Sequence, residues 1–349
     1  MVKGSRPPLC FGGVEIAAGE RRTIDLPVAL LYTHTPLSMP VHLIHGRQPG
    51  PTLFVSGVIH GDELIGLEII RRLLNRRILS RLRGTLFAIP VVNTHGLLHR
   101  SRYLPDRRDL NRSFPGSEKG SLAARLANLF SEEVVSRCGY GIDLHSAGLN
   151  RVNLPQIRAD FSDPETERIA RVFGVPVLLD SQQRDGSLRQ VAAERGVKVL
   201  LYEAGEALRF DELGIRAGVR GILAVLRALD MLPAASSSQP IRHLEAPIAH
   251  SSQWVRAPQS GIVRLTTALG SRVKKGQRLA IVADPFGESE CEVTAPVAGI
   301  IIGRSTLPLT NEGEALFHIA RFDDIKSAEE QVVNFQEAQL ANPYDEPPL

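Results

Sequence analysis

The sequence predicts an α/β fold: a mixed, mostly parallel sheet flanked by helices, followed by a small all-β C-terminal domain. Three observations carry this. Apolar runs of strand length alternate with stretches of helical periodicity as far as about residue 229. The composition then shifts at Pro233-Ala-Ala-Ser-Ser-Ser-Gln-Pro240, which reads as a linker. From about 250 to 322 the helical period disappears. The expected division is a large domain over 1–232, a linker over 233–249, an all-β domain over 250–322 and a tail over 323–349.

The elements follow in order. Ile24 to Tyr32, Met39 to Ile44 and Thr52 to Val55 read as strands, with a turn at Gly46 to Pro51. Leu64, Leu67, Ile70, Leu73 and Leu74 recur at helical spacing. Gly84 to Val92 is an apolar run that suits a central parallel strand. Residues 93–118 form a long loop rich in Arg, Asp and Asn, anchored by Leu104, Leu110 and Phe114; a loop this long in a compact domain is usually functional. A helix follows from about Leu122 to Val135. Gly141 to Ser146 is a short strand, Pro164 to Phe173 a helix, Val175 to Leu179 a strand, Ser187 to Glu194 a helix and Val197 to Tyr202 a strand. Asp211 to Leu229 is the last helix of the large domain. The acidic tail has room for a short helix before its Pro-rich end.

Bulk properties exclude several function classes. The 349 residues are 43% hydrophobic and 23% charged, as in a soluble globular protein. A net charge of +3, from 41 basic and 38 acidic residues, makes no electrostatic case for nucleic acid or a membrane surface. Cys10, Cys138 and Cys291 are few, odd in number and far apart, which argues against a disulfide framework and fits a cytoplasmic protein. The N-terminus lacks the apolar core of a signal peptide, and no apolar run approaches the ~20 residues of a membrane span.

The chemistry is concentrated where strands end. The apolar strand at Leu53 to Val55 runs into His60-Gly-Asp-Glu63, and the next helix begins at once. A histidine and a carboxylate three residues apart can bind one metal ion, although that spacing alone also arises by chance. His145 closes the strand Gly141-Ile-Asp-Leu-His145, and ligand sites in open α/β sheets lie beyond the carboxyl ends of strands. Two histidines and one carboxylate form a zinc site that keeps one position for water. Glu203 follows another apolar strand, where a carboxylate can move a proton between water and a leaving amine; Glu206 is its rival. Arg102, Asn111 and Arg112 lie on the long loop, and arginine clamps a carboxylate through two parallel hydrogen bonds. Asp62 reads as a helix cap. His95 and His99, four residues apart, sit in a loop-like segment.

His60-Gly-Asp-Glu63, Asp109-Leu-Asn111-Arg112 with Arg102-Tyr103 upstream, Asp143-Leu-His145 and Glu203-Ala-Gly205 occur in that order. Together they resemble the succinylglutamate desuccinylase/aspartoacylase family of the zinc carboxypeptidase superfamily. Asn153-Leu-Pro-Gln-Ile-Arg158 further resembles a bacterial, deacylase-like subset. The resemblance covers about residues 40–230. It implies a zinc carboxypeptidase-like fold and one Zn2+ per chain held by His60, Glu63 and His145. It implies Glu203 as general base and acid, Asn111 and Arg112 as the carboxylate-binding pair, and Arg102 as the group that polarises the scissile carbonyl, with Arg100 nearby as an alternative. Asp143 would orient a ligand histidine or serve the strand end alone, and Arg158 either binds substrate or makes a structural ion pair. The expected activity is hydrolysis of the amide of a small N-acyl amino acid.

The C-terminal segment repeats itself weakly, Ala257-Pro258-Gln-Ser-Gly261-Ile-Val against Ala295-Pro296-Val-Ala-Gly299-Ile-Ile. It resembles the barrel-sandwich fold of biotinyl and lipoyl carriers, but the connection at Ala283 to Glu290 has no lysine to modify. Its expected role is to shape the pocket or an oligomer contact, so a homo-oligomer stays open. The rival readings are a metallocarboxypeptidase acting on peptides and a non-catalytic binding module.

Overall fold

The structure, a computed structural model, describes residues 6–234 and 246–341. Most of the expected linker and the Pro-rich end lie outside these residues.

The chain opens with a small hairpin, β1 (Leu9–Phe11) and β2 (Val14–Ile16), whose Phe11 meets Phe87 edge to face. The main sheet begins with β3 (Arg21–Leu30), β4 (Pro36–His45) and β5 (Gln48–Gly57). The last five residues of β5 are buried on both faces, which is why Leu53-Phe-Val55 is continuously apolar. Helix α1 (Ile65–Leu74) buries Ile65, Ile69, Ile70 and Leu73. Each such side chain contributes about 2 kcal/mol relative to exposure. Then come β6 (Arg83–Ile89), α2 (Thr94–His99), α3 (Leu122–Glu133), β7 (Tyr140–Ala147), β8 (Arg151–Ala159), α4 (Pro164–Phe173), β9 (Val177–Asp180), α5 (Leu188–Glu194), β10 (Lys198–Glu206) and α6 (Glu212–Ala228). After the undescribed segment follow β11 (Ile248–Ala249), β12 (Ser251–Arg256), β13 (Gly261–Leu265), β14 (Arg272–Val273), β15 (Arg278–Ala283), β16 (Glu290–Thr294), β17 (Gly299–Ser305), β18 (Leu309–Thr310), β19 (Ala315–Arg321) and α7 (Ile325–Ala341).

The sheet is mixed and flanked by helices, as the sequence predicts. Its strand order is β12-β19-β17-β8-β10-β7-β5-β6-β4-β3. The centre, β10-β7-β5-β6, is parallel, and antiparallel pairs extend it on both sides. Alternate residues of β5 serve opposite cores. Leu53 and Val55 pack with α1, α4 and α6, whereas Phe54 packs with α3 and α5. A second, antiparallel sheet, β16-β15-β13-β18, belongs to the C-terminal unit. A further core joins its Val263, Val282 and Val293 to Val255, Phe317 and Ile319 of the main sheet's far wing, so the unit is a sandwich. Among the described residues no helix is long and apolar enough to cross a membrane.

Several elements differ from expectation. The segment with His95 and His99 is helix α2, started by the Asn93 side chain accepting from Gly96 N at 2.8 Å. Strand β8 is absent from the sequence reading, because Pro155 removes a ladder donor; it is tolerated beside the register break between Glu203 and Gly205 of β10. Strand β10 runs on past Tyr202 to Glu206, so both glutamates lie within it. Residues 248–249, expected in the linker, pair with β9. The tail helix α7 is 17 residues long and sets Ala328 and Val332 against Ile300 and Ile302 of β17.

Candidate metal and substrate site

The first donors lie between β5 and α1. The backbone turns through Val58, at a φ of 55°, and passes so near α2 that a Cβ on Gly61 would stand 1.9 Å from the carbonyl carbon of Gly96. Only glycine fits that approach. The turn points His60 and Glu63 inward, 3% and 2% exposed. His145 comes from β7, also 3% exposed. Glu63 bridges the two imidazoles: Oε1 is 2.7 Å from His60 Nδ1, and Oε2 is 2.7 Å from His145 Nδ1. Ser146 N donates to Oε2 at 3.2 Å.

The remaining imidazole nitrogens are also engaged. His145 Nε2 lies 2.7 Å from Asp143 Oδ2, two residues back on the same strand face. Ser56 Oγ donates to the other Asp143 oxygen at 2.8 Å. His60 Nε2 lies 3.1 Å from Asp109 Oδ1. Burial disfavours charge on all three donors, yet mutual attraction wins. Burial acts to raise Glu63, but His60 and His145 hold it well below the usual carboxylate range. Burial acts to lower His60 and His145, but Glu63 with Asp109, and Asp143 with Glu63, raise them. Ligand atoms of His60, Glu63 and His145 lie within 4.8 Å of one another, close enough for one ion to reach all three.

His60, Glu63, Arg102, Asn111, Arg112, His145, Arg158 and Glu203 all line one cavity of about 380 Å³. Arg102 donates to Glu63 Oε1 at 3.2 Å and to Asp109 Oδ2 at 2.9 Å. Arg100 does not line the cavity; it ends α2 in the left-handed region. Asn111 accepts from Leu188 N at 2.9 Å through Oδ1, tying the long loop to the start of α5. Arg112 donates to the Asn111 carbonyl. Glu203 stands opposite His145 in the β10–β7 ladder. Its Oε2 accepts from Asn153 Nδ2 at 2.6 Å, and Arg158 Nη1 is 3.7 Å from Oε1. Glu206 lies outside the lining and accepts from Thr306 Oγ1 at 3.2 Å.

One sequence reading fails. Asp62 caps nothing: α1 has Leu64 at its N-cap position with no side-chain cap bond. The Asp62 carboxyl is buried, its Oδ1 has no hydrogen-bond partner among the described residues, and burial raises its pKa. The helix starts two residues too late for that side chain to reach it in cap geometry.

Other lining residues carry no motif. Arg184 and Arg189 come from the β9–α5 region, Arg151 from β8, and Trp254 and Arg256 from β12. Arg189 donates to Ser181 O at 3.0 Å and to Gln182 O at 3.2 Å, and burial beside Arg158 and Arg184 pushes its pKa down to about 10. Burial and its neighbours Arg112 and Arg158 lower Arg184 as well. Arg102, Arg112, Arg151, Arg158, Arg184, Arg189 and Arg256 thus line one cavity together with Glu63 and Glu203. Such a wall attracts anions.

The family model of the succinylglutamate desuccinylase/aspartoacylase catalytic domain matches residues 49–229. The chain belongs to this family. The matched stretch holds every donor and proton-transfer candidate above. Among relatives, the N-alpha-acetyl-L-2,4-diaminobutyric acid deacetylase of Halomonas elongata is 29% identical over 299 residues, covering 81% of this chain and 85% of the relative. Similar solved structures include a succinylglutamate desuccinylase/aspartoacylase from Rhodobacter sphaeroides, with 23% identity, a TM-score of 0.75 and coverage of 87% and 95% of the two chains. The product-bound ectoine utilization protein EutE (DoeB) of Ruegeria pomeroyi has 22% identity, a TM-score of 0.77 and coverage of 86% and 94%. At these identities the two structures share the family fold with this chain.

Proposed function

We propose that this chain is a zinc-dependent amidohydrolase that removes the acyl group from a small N-acyl amino acid. The observation that carries this reading is the convergence of His60, Glu63 and His145 beside Glu203 in an arginine-lined cavity, in a member of this family. The deacetylase relative supports the reaction class.

The donor set fits zinc. Two imidazoles and one carboxylate suit that ion, and three protein ligands leave a position for water. Each imidazole has a further carboxylate behind it, Asp109 or Asp143, which fixes ring orientation as ligand histidines require. A bound zinc ion supplies Lewis acidity, lowering the pKa of water and drawing charge from a carbonyl.

The protein's own groups do the rest. Glu203 takes a proton from the attacking water at its carboxylate and returns it to the departing amine nitrogen. Arg102 donates to the acyl oxygen as negative charge develops there. Arg112, with the Asn111 amide, binds the carboxylate of the amino acid, and Arg158 adds a second donor to that wall. Trp254, Arg256 and Ala315 of the C-terminal unit close one side of the cavity, which favours a compact substrate over a long peptide. We assign one zinc per chain and a cytoplasmic setting, in keeping with the free Cys10, Cys138 and Cys291.

The test is a screen of acetylated and succinylated amino acids, beside dipeptides, with zinc-loaded protein. The expected result is amine release from N-acyl amino acids, loss of activity with a chelator and its return with zinc. Cleavage of dipeptides alone would replace this reading with a carboxypeptidase; no turnover and no zinc uptake would leave a binding module.

A further inference from the structure

We propose that the C-terminal β-unit sets the position of Glu203 through Asn153, and that Gly303 is what allows it. The proposal rests on Glu203 being the proton-transfer group. Four residues stand in one row across the sheet. Trp254 of β12 is opposite His318 of β19, His318 is opposite Gly303 of β17, and Gly303 is opposite Asn153 of β8. Residues paired this way present their side chains on the same face. Trp254 and His318 stack at 4.3 Å with their planes 7° apart. The next position has no side chain.

That gap is filled by Asn153. A Cβ on Gly303 would lie 2.7 Å from Asn153 Oδ1 and 3.4 Å from His318 Cβ. The Asn153 amide therefore spans from β17 to β10, with Oδ1 over Gly303 and Nδ2 donating to Glu203 Oε2 at 2.6 Å. A carboxylate only accepts, so the amide must turn its NH2 end to Glu203. Asn153 is 5% exposed, so little solvent competes for this bond. A donor to an ionised acceptor forms a strong and directional bond. Arg158 faces the other oxygen at 3.7 Å, and the carboxylate is thereby bracketed. His318 does not compete for Asn153: its ring is stacked on Trp254, and its Nδ1 has no hydrogen-bond partner among the described residues. The register break between Ile301 and Gly303 brings the glycine, rather than Ile302, opposite His318. Asn153 is thus a positioning residue, and β17 is the floor on which it rests.

The test uses the full chain as wild type, Asn153→Ala, Gly303→Ala and the double variant, each checked for folding and zinc content. Crystal structures read the Glu203 rotamer directly. The expected result is a Glu203 carboxylate that leaves its wild-type position or splits into several rotamers in both single variants. With the N-acyl amino acid that wild type turns over best, kcat falls about tenfold to a hundredfold at little changed KM and zinc content. The double variant is no worse than Asn153→Ala, because Gly303 acts through Asn153. An unmoved Glu203, an unchanged kcat in Asn153→Ala, or a further loss in the double variant overturns the proposal. Should Gly303→Ala not fold, Asn153→Ala carries the test alone. If wild type turns over no N-acyl amino acid, the catalytic reading fails and the crystal structures still decide the positioning.

Discussion

Glu203 and Arg184 mark the limits of what a residue reveals in sequence. Glu203 sits in a short motif at the end of an apolar run, so its place in the cavity is legible from the sequence itself. Replacing it with Gln keeps shape and removes the proposed base; kcat should fall by about 10²–10⁴ while bound zinc, measured by metal analysis, stays at wild-type level. An active variant would remove Glu203 from the mechanism. Arg184 has no motif around it, and only the fold brings it to the guanidiniums of Arg112 and Arg158. With an anionic substrate, Arg184→Ala should raise KM about tenfold with kcat changed much less, and wild type should lose that advantage as salt rises. A KM that does not move would exclude Arg184 from substrate binding. The same contrast covers the whole site. His60 with Glu63, and Asp143 with His145, are local in sequence, whereas the Asn153–Glu203 bond and the Trp254 wall depend on strand pairings 50 or more residues apart.

At the scale of elements, strong periodicity is legible and local exceptions are not. Helices α1, α4 and α6 have one apolar face, and the expected bounds of α4 and α6 fall close to the observed ones. Strand β8 hides behind Pro155, and α2 is too short for a period to show. Helix α1 also carries a testable charge arrangement. Glu68 accepts from Arg71 at 2.6 and 2.8 Å and from Arg72 at 2.7 Å. The Arg71 and Arg72 bonds lower its pKa to about 2, against an ordinary 4.5. Because the folded value is the depressed one, the stabilisation is complete above pH 4.5 and disappears as pH falls from 4.5 towards 2. Glu68→Gln should therefore cost about 1–2 kcal/mol at pH 7, the exposed Arg71 making this less than the full shift implies. Denaturant titrations at pH 7 and pH 3 should show the difference between variant and wild type shrinking at the lower pH. A constant difference would mean that packing, not charge, holds Glu68.

At the scale of the whole molecule, the boundary that composition suggests near residue 233 does not interrupt the main sheet. Strand β17 pairs with β8 and continues the main sheet into the C-terminal unit. Leu154, Val177 and Leu179 from one side share a core with Ile300, Ile302, Ala320 and Val332 from the other. Cutting the chain after residue 234 would bare that apolar surface and leave β9, with the Arg151–Asn153 end of β8, as an open edge, the two features that drive aggregation. The truncated protein should be insoluble or associate on a sizing column, and the full chain should unfold in one calorimetric transition. Zinc then provides a handle on the same cooperativity. The proposed ion would join the β5–α1 turn to β7, three strands from β17, and would bind the folded state. Free zinc at about a thousandfold its Kd adds about 4 kcal/mol of stability. If sheet and C-terminal unit unfold together, zinc must raise the single transition as a whole. Two transitions, with only the earlier or later one moved by zinc, would show that the C-terminal unit is separable and that its hold on Asn153 is looser than the shared sheet implies.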